Sequence, residues 1–120
     1  MLEIFLVDTP QWQNVARQEL GRGTRVVAAG NKEQALEVIP ALEKLNVMAA
    51  IVGGSLTPDD DPNGKVGEEI IAAIKHTYPH MPVLGWAKVD RLPGADMMLS
   101  KFGAGLSLQD AVEKLLTNVT

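Results

Sequence analysis

The chain has 120 residues, of which 46% are hydrophobic and 22% charged, with a formal net charge of −4 and no cysteine. This length allows one domain with a single sizeable core, and the composition is typical of a compact protein and not of a disordered one. The absence of cysteine excludes disulfides, thiolate catalysis and sulfur-ligated zinc.

The distribution of charge and hydrophobicity narrows the class of partner. The basic residues are scattered along an acidic chain and form no dense stripe, which argues against nucleic-acid binding by this chain alone. No apolar segment reaches the length of a membrane span, and residues 1–8 contain no basic leader. We therefore expect residues 1–120 to form one cytoplasmic domain without a membrane partner.

Five short apolar runs predict five β-strands. They are nearly continuous in hydrophobicity, as is typical of parallel strands that are covered on both faces. In chain order they are residues 2–7, 24–30, 47–53, 82–87 and 97–100.

Helical patterns separate these strands and begin at recognisable capping residues. Thr9 precedes a proline at a first helical position, and Asn31 and Ser107 are each followed three residues later by a residue of capping-box type. Pro40 is expected to kink or split the second helix. The predicted helices are residues 10–21, 32–44, 66–77 and 108–118.

The alternation of strand and helix predicts a doubly wound α/β domain, because parallel neighbours need crossover connections. In such sheets ligands bind beyond the carboxyl ends of the strands. The residues placed there by the sequence are Asp8, Thr9, Gly30, Asn31, Gly53, Gly54, Ser55, Ala87, Lys88 and Lys101.

Four quoted segments carry a family resemblance: "FLVD", "AAIVGGSLTP", "MPVLGWA" and "MLSKF". In this order they resemble a response-regulator receiver (CheY-like) domain, and the resemblance covers essentially the whole chain. It implies a flavodoxin-like fold with strand order 2-1-3-4-5 and a place in two-component signalling.

The resemblance also implies what each strand end would hold. In receivers, acids after strand one bind Mg²⁺, an aspartate after strand three is phosphorylated, a hydroxyl residue follows strand four and a lysine follows strand five. Here Asp8 matches the first acid and Thr9 replaces the second. Gly54 stands at the phosphoacceptor position, Ala87 replaces the hydroxyl residue and Lys101 is kept. The resemblance therefore predicts a pseudo-receiver that cannot be phosphorylated in the usual way.

The segment between strands four and five is short for this family. Pro93 and Gly94 lie in its middle and would interrupt a helix. We therefore expect the fourth helix of the family to be shortened or missing.

The retained residues have structural interpretations as well. Asp8 is either a metal ligand or a polar residue at a helix start, where the helix dipole favours an anion. Lys101 is expected to pair with Asp8 as a structural ion pair once the phosphoacceptor is absent. Trp12 and Trp86 either flank the vacated pocket as an interaction surface or are ordinary core aromatics.

An acidic loop, "DDDPNG", follows the third strand. Asp59, Asp61 and Asn63 have the spacing of the first ligands of an EF-hand calcium loop. Ile70 at the twelfth position and a preceding strand argue against an EF-hand. A weaker Ca²⁺ or Mg²⁺ site that also involves Asp8 stays open beside the alternative of a solvated turn, and no other cofactor is indicated.

These observations predict an interaction module in two-component-type signalling. Its partner would be a histidine kinase, another regulator or a second copy of the chain. The alternative is a small-ligand sensor in which the turn at residues 53–55 binds an anion or nucleotide. An enzyme is not expected, because His76 and His80 fall at the opposite end of the sheet from Ser55, which leaves that hydroxyl without a base.

Overall fold

The structure is a computed structural model, and it describes residues 2–53, 65–87, 92–101 and 106–118. Its strands form one five-stranded sheet in the order β2-β1-β3-β4-β5, and each neighbouring pair is parallel. The predicted fold class and strand order are confirmed. The strands are β1 (Leu2–Val7), β2 (Thr24–Ala29), β3 (Ala49–Gly53), β4 (Val83–Ala87) and β5 (Met97–Ser100).

The described helices follow the predicted ones closely, with one split. They are α1 (Pro10–Leu20), α2 (Lys32–Val38), α3 (Val66–Thr77) and α4 (Leu108–Asn118). The second predicted helix ends early, and a 3₁₀ turn at Ile39–Ala41 follows it. Pro40 lies in that turn, so the expected split at this proline is confirmed. None of the described helices is long and apolar enough to cross a bilayer.

Side-chain capping accounts for where α2 and α4 begin. Asn31 Oδ1 accepts a hydrogen bond from Gln34 N at 2.9 Å, and Gln34 Oε1 accepts one from Gly30 N at 2.8 Å. Ser107 Oγ likewise accepts a hydrogen bond from Asp110 N at 3.1 Å. Thr9 occupies the N-cap position of α1, but its side chain makes no capping hydrogen bond. Pro10 therefore sets the start of this helix, because its φ angle is already helical.

The third strand begins later than predicted. The apolar pattern placed its start at residue 47, whereas the ladder starts at Ala49. Met48 N still donates to Glu3 O at 2.9 Å, but the Met48 side chain is 50% exposed. An apolar residue at the edge of a run thus extended the predicted strand beyond its real boundary.

The sheet has a hydrophobic core on each face, which we call the α2/α3 core and the α1/α4 core. Phe5, Val7 and Val52 belong to the α2/α3 core. Ile4 and Leu6 belong to the α1/α4 core, because successive side chains of a strand point to opposite faces. The same alternation carries Asp8, the residue after β1, to the α1/α4 face.

The connection between β4 and β5 is compact where the structure describes it. Residues 92–96 contain a turn at Pro93–Gly94 and form no helix. Asp96 Oδ2 accepts hydrogen bonds from Val83 N at 2.8 Å and from Lys75 Nζ at 2.6 Å. This part of the connection therefore agrees with the expected loss of a helix, and residues 88–91 lie outside the described residues.

Candidate functional site

Asp8 lies at the carboxyl end of β1 and is fully buried. Its Oδ1 accepts a hydrogen bond from Thr9 N at 2.8 Å, and its backbone carbonyl accepts one from Gln13 Nε2 at 2.9 Å. The start of α1 therefore fixes both the backbone and the carboxylate of Asp8.

Lys101 follows β5 at the same edge of the sheet. Its backbone N donates to Ala87 O at 3.0 Å, which continues the ladder by one residue. Its Nζ lies 2.7 Å from Asp8 Oδ2, and only 3% of its side chain is exposed. β3 and β4 lie between β1 and β5 in the sheet. This buried ion pair therefore joins the ends of β1 and β5 across the two strands between them.

Gly53 gives the Asp8 carboxylate its space. A Cβ atom at residue 53 would lie 2.6 Å from Asp8 Oδ2, well inside van der Waals contact. On its other side Gly53 meets α3, since a Cβ on Gly67 would overlap the Gly53 carbonyl oxygen. Two glycines thus let the carboxylate and the first turn of α3 both approach the end of β3.

Two tryptophans lie beside the lysine ammonium. The rings of Trp12 and Trp86 are 5.4 Å apart and meet edge to face at 80°. Lys101 Nζ lies 4.4 Å from the centre of the Trp12 ring and 5.2 Å from that of Trp86. Both distances are within the range of a cation–π interaction. Among the described residues, one carboxylate and two aromatic rings therefore lie close to this positive charge.

Burial dominates the electrostatics of the pair. Desolvation raises the pKa of Asp8, and it outweighs the lowering by the Lys101 ammonium and by the Thr9 N–H. Oδ2 lies 2.7 Å from Lys101 Nζ, and this ammonium lowers the pKa of Asp8 both through its hydrogen bond and through its charge.

Comparison with known proteins identifies the fold of this chain. No protein-family model matches the sequence, and no curated protein sequence matches it either. Solved structures do match. A CheY-like receiver domain protein from Methanospirillum hungatei has a TM-score of 0.73 and 19% identity, over 99% of this chain and 94% of that one.

Two further structures agree with the first. A LuxR-family two-component response regulator from Aurantimonas has a TM-score of 0.75 and 20% identity, over 97% of this chain and 85% of that one. The response regulator TrrA from Thermotoga maritima, in complex with Mg²⁺-BeF, has a TM-score of 0.73 and 18% identity, with full coverage of both chains. This chain has the receiver fold. Likeness at these identities establishes the fold alone.

The receiver family implies a divalent metal ion, and the described residues do not fit one. Mg²⁺ and Ca²⁺ prefer several oxygen ligands, with carboxylates foremost. The described residues contain no group of three histidines, cysteines or acids that could hold a metal. Asp8 Oδ2 faces an ammonium instead, and Oδ1 is held by a backbone N–H. No role in this site is therefore assigned to a metal ion.

The structure brings together five of the residues singled out in the sequence: Asp8, Thr9, Trp12, Trp86 and Lys101. Ala87 joins them through its backbone carbonyl, which holds Lys101 N. Gly54 and the loop residues Asp59, Asp61 and Asn63 lie outside the described residues. At this edge of the receiver fold, the described site is a buried ion pair under two aromatic rings.

Sequence reasoning missed two contributors to this site. It placed Gly53 at a strand end, in a turn that would bind an anion in the sensor alternative, and did not connect it with Asp8. It assigned no role to Gln13, whose amide holds the Asp8 carbonyl. Two signals in the sequence could have pointed to these residues. Gly53 ends β3 at the same edge of the sheet as Asp8, and Gln13 is a polar residue one turn into α1.

Proposed function

We propose that this chain is a non-phosphorylatable, receiver-like domain that acts as a protein–protein interaction module in two-component-type signal transduction. The supporting observation is the buried ion pair between Asp8 and Lys101. The lysine that receivers use to contact a phosphoryl group is here neutralised by the chain's own carboxylate. The domain is proposed to have no enzymatic activity.

Residue types at the neighbouring strand ends support the same proposal. The glycines at positions 53 and 54 have no carboxylate that could form an acyl phosphate, and Ala87 has no hydroxyl group. TrrA is a structural neighbour whose structure contains Mg²⁺-BeF. We infer that this chain has kept the fold of such proteins while losing the groups that bind and transfer a phosphoryl group.

The proposed mechanism is presentation of a fixed surface. A ligand shifts a conformational equilibrium only by its differential affinity for the two states. Release of Lys101 would leave the fully buried Asp8 carboxylate without a counter-charge, and uncompensated buried charges are strongly destabilising. The paired arrangement is therefore the favoured one. Control would therefore come from the state of the partner, which we propose to be a histidine kinase, another regulator or a second copy.

A phosphorylation assay tests the proposal. The chain is incubated with Mg²⁺ and acetyl phosphate and then measured by intact mass spectrometry, with TrrA in parallel as a receiver-fold control. We expect no phosphoryl adduct on this chain. We also expect its binding to a co-purified signalling protein, measured by calorimetry, to be the same with and without acetyl phosphate.

Three results would contradict the proposal. One is a stoichiometric adduct on this chain, and another is partner binding that depends on acetyl phosphate. The third is saturable binding of a small anion with amide shifts at Gly53 to Ser55, which would favour the small-ligand sensor instead.

A further inference from the structure

The site described above raises the question of which cation balances Asp8. We propose that the ammonium of Lys101 is the resident cation of this site, and that it excludes Mg²⁺ and Ca²⁺ from Asp8. The inference rests on the proposed function and deepens it, since both depend on the buried ion pair between Asp8 and Lys101. It is tested on the isolated chain, without any partner.

Charge balance is the first support. The described part of the site holds one carboxylate, and its nearest cation is an ammonium 2.7 Å from Oδ2. With this ammonium in place the pair is neutral. A divalent ion on the same oxygen would place two further positive charges close to the ammonium, in a region of low dielectric constant where like charges repel strongly.

Oxygen ligands are the second consideration. Mg²⁺ requires near-octahedral oxygen coordination and gives up its water reluctantly, and Ca²⁺ takes six to eight oxygens. Asp8 Oδ1 accepts a hydrogen bond from Thr9 N at 2.8 Å, and Oδ2 lies 2.7 Å from Lys101 Nζ, so each carboxylate oxygen already has a partner. Gly53 packs against the carboxylate on the remaining side, where a single Cβ atom would overlap it.

The aromatic walls are the third support. Trp12 and Trp86 present ring surfaces 4.4 Å and 5.2 Å from Lys101 Nζ. Ring surfaces attract an ammonium through the aromatic quadrupole but supply no oxygen to a metal ion. The walls of the site therefore suit the cation that occupies it and do not suit a hydrated divalent ion.

The proposal is tested by NMR on the full chain. We expect the ¹⁵Nζ–H signal of Lys101 to be observable because burial slows its exchange with water, and the Lys101 Hε protons to be shifted upfield by the two indole rings. Titration with Mg²⁺, then Ca²⁺, then paramagnetic Mn²⁺ is expected to leave the amides of Thr9 and Gly53 and the signals of Lys101 unchanged.

A matched lysine provides the control. Lys32 forms an exposed ion pair with Glu69, with 43% of the lysine side chain exposed. Its ammonium is expected to exchange too fast to observe under the same conditions. Lys32→Met removes one lysine charge away from the site, so it separates effects of net charge on Mn²⁺ broadening from effects at Asp8.

Each outcome of the titration either supports or overturns the proposal. A protected, upfield-shifted Lys101 that does not respond to metal supports the proposal. So does a metal response confined to residues 59–64, because Asp8 then stays with Lys101. Saturable shifts at Thr9 and Gly53, or a Lys101 ammonium that exchanges like that of Lys32, would overturn it. A failure here is distinguishable from failure of the proposed function, since a site can bind Mg²⁺ and still lack a phosphoacceptor.

Discussion

Replacing Asp8 with asparagine tests how strongly the ion pair stabilises the domain. Asp8→Asn keeps the shape of the side chain but leaves the Lys101 ammonium buried, with 3% of its side chain exposed and no counter-charge. Loss of one partner of a buried pair costs about 3–5 kcal/mol, and the two indole rings offset about 1–2 kcal/mol of this. We therefore expect the free energy of unfolding to fall by about 1–4 kcal/mol.

The double variant Asp8→Asn with Lys101→Met makes the test specific. It replaces both charges by neutral groups of similar size, which is often neutral or stabilising for a buried pair. We expect its stability to be within about 1 kcal/mol of the natural protein, so the two single effects would be far from additive. Unfolding is measured in urea by circular dichroism and by fluorescence, since the two tryptophans of the chain both lie at this site.

The pair between Lys32 and Glu69 is the control for this cycle. Its side chains are 43% and 50% exposed, so water screens their interaction. The corresponding cycle, with Lys32→Met and Glu69→Gln, should give a coupling of less than about 1 kcal/mol. If Asp8→Asn costs as little as that, or if the double variant shows the sum of the single effects, the reasoning about the buried pair is wrong.

Three further predictions concern the same site. Gly53→Ala places a Cβ atom 2.6 Å from Asp8 Oδ2 and should cost about 1–3 kcal/mol in urea unfolding, whereas Gly23→Ala, with nothing within 4 Å, should be nearly neutral; equal effects would contradict the steric account. Lys101→Met removes a contact that lowers the pKa of Asp8. With a still higher pKa in the folded state, protonation favours folding, so the variant should gain stability relative to the natural protein as the pH falls from neutrality toward the ordinary pKa range of an aspartate. A constant difference over this range would show that Asp8 does not titrate there. Trp12→Ala removes the nearer ring from Lys101 Nζ and should speed the exchange of its ammonium protons with water, as measured by NMR; unchanged exchange would mean that Trp12 does not shield the ammonium.

Much of the fold was predictable because apolar runs and capping residues act locally. The bounds of α3 were predicted without error, and the bounds of β4 differ from the prediction by one residue. The start of β3 was predicted two residues too early, because Val47 and Met48 continue the apolar run although the paired residues of the strand begin at Ala49. Local pattern identifies strands well, but pairing with the neighbouring strands decides where they begin.

The site was predictable only in outline. The strand ends place Asp8 and Lys101 at one edge of the sheet, and a pairing between them was expected because the receiver resemblance leaves no phosphoacceptor at this edge. The position of the ammonium beside the rings of Trp12 and Trp86 depends on the reach and packing of side chains from four elements. The contact between Gly53 and Asp8 depends likewise on the register of β1 against β3. No periodicity in the sequence encodes such distances.

The ion pair also has a consequence for the rate at which the domain folds and unfolds. Its partners, Asp8 and Lys101, are 93 positions apart in the sequence, and this separation makes the contact one of the least local in the chain. Contacts that close long loops are slow to form, and those absent from the folding transition state affect mainly the unfolding rate. We expect Asp8→Asn to increase the unfolding rate constant measured by stopped-flow. The refolding rate constant should be nearly unchanged. The pair would then form after the folding transition state and would determine the lifetime of the folded domain.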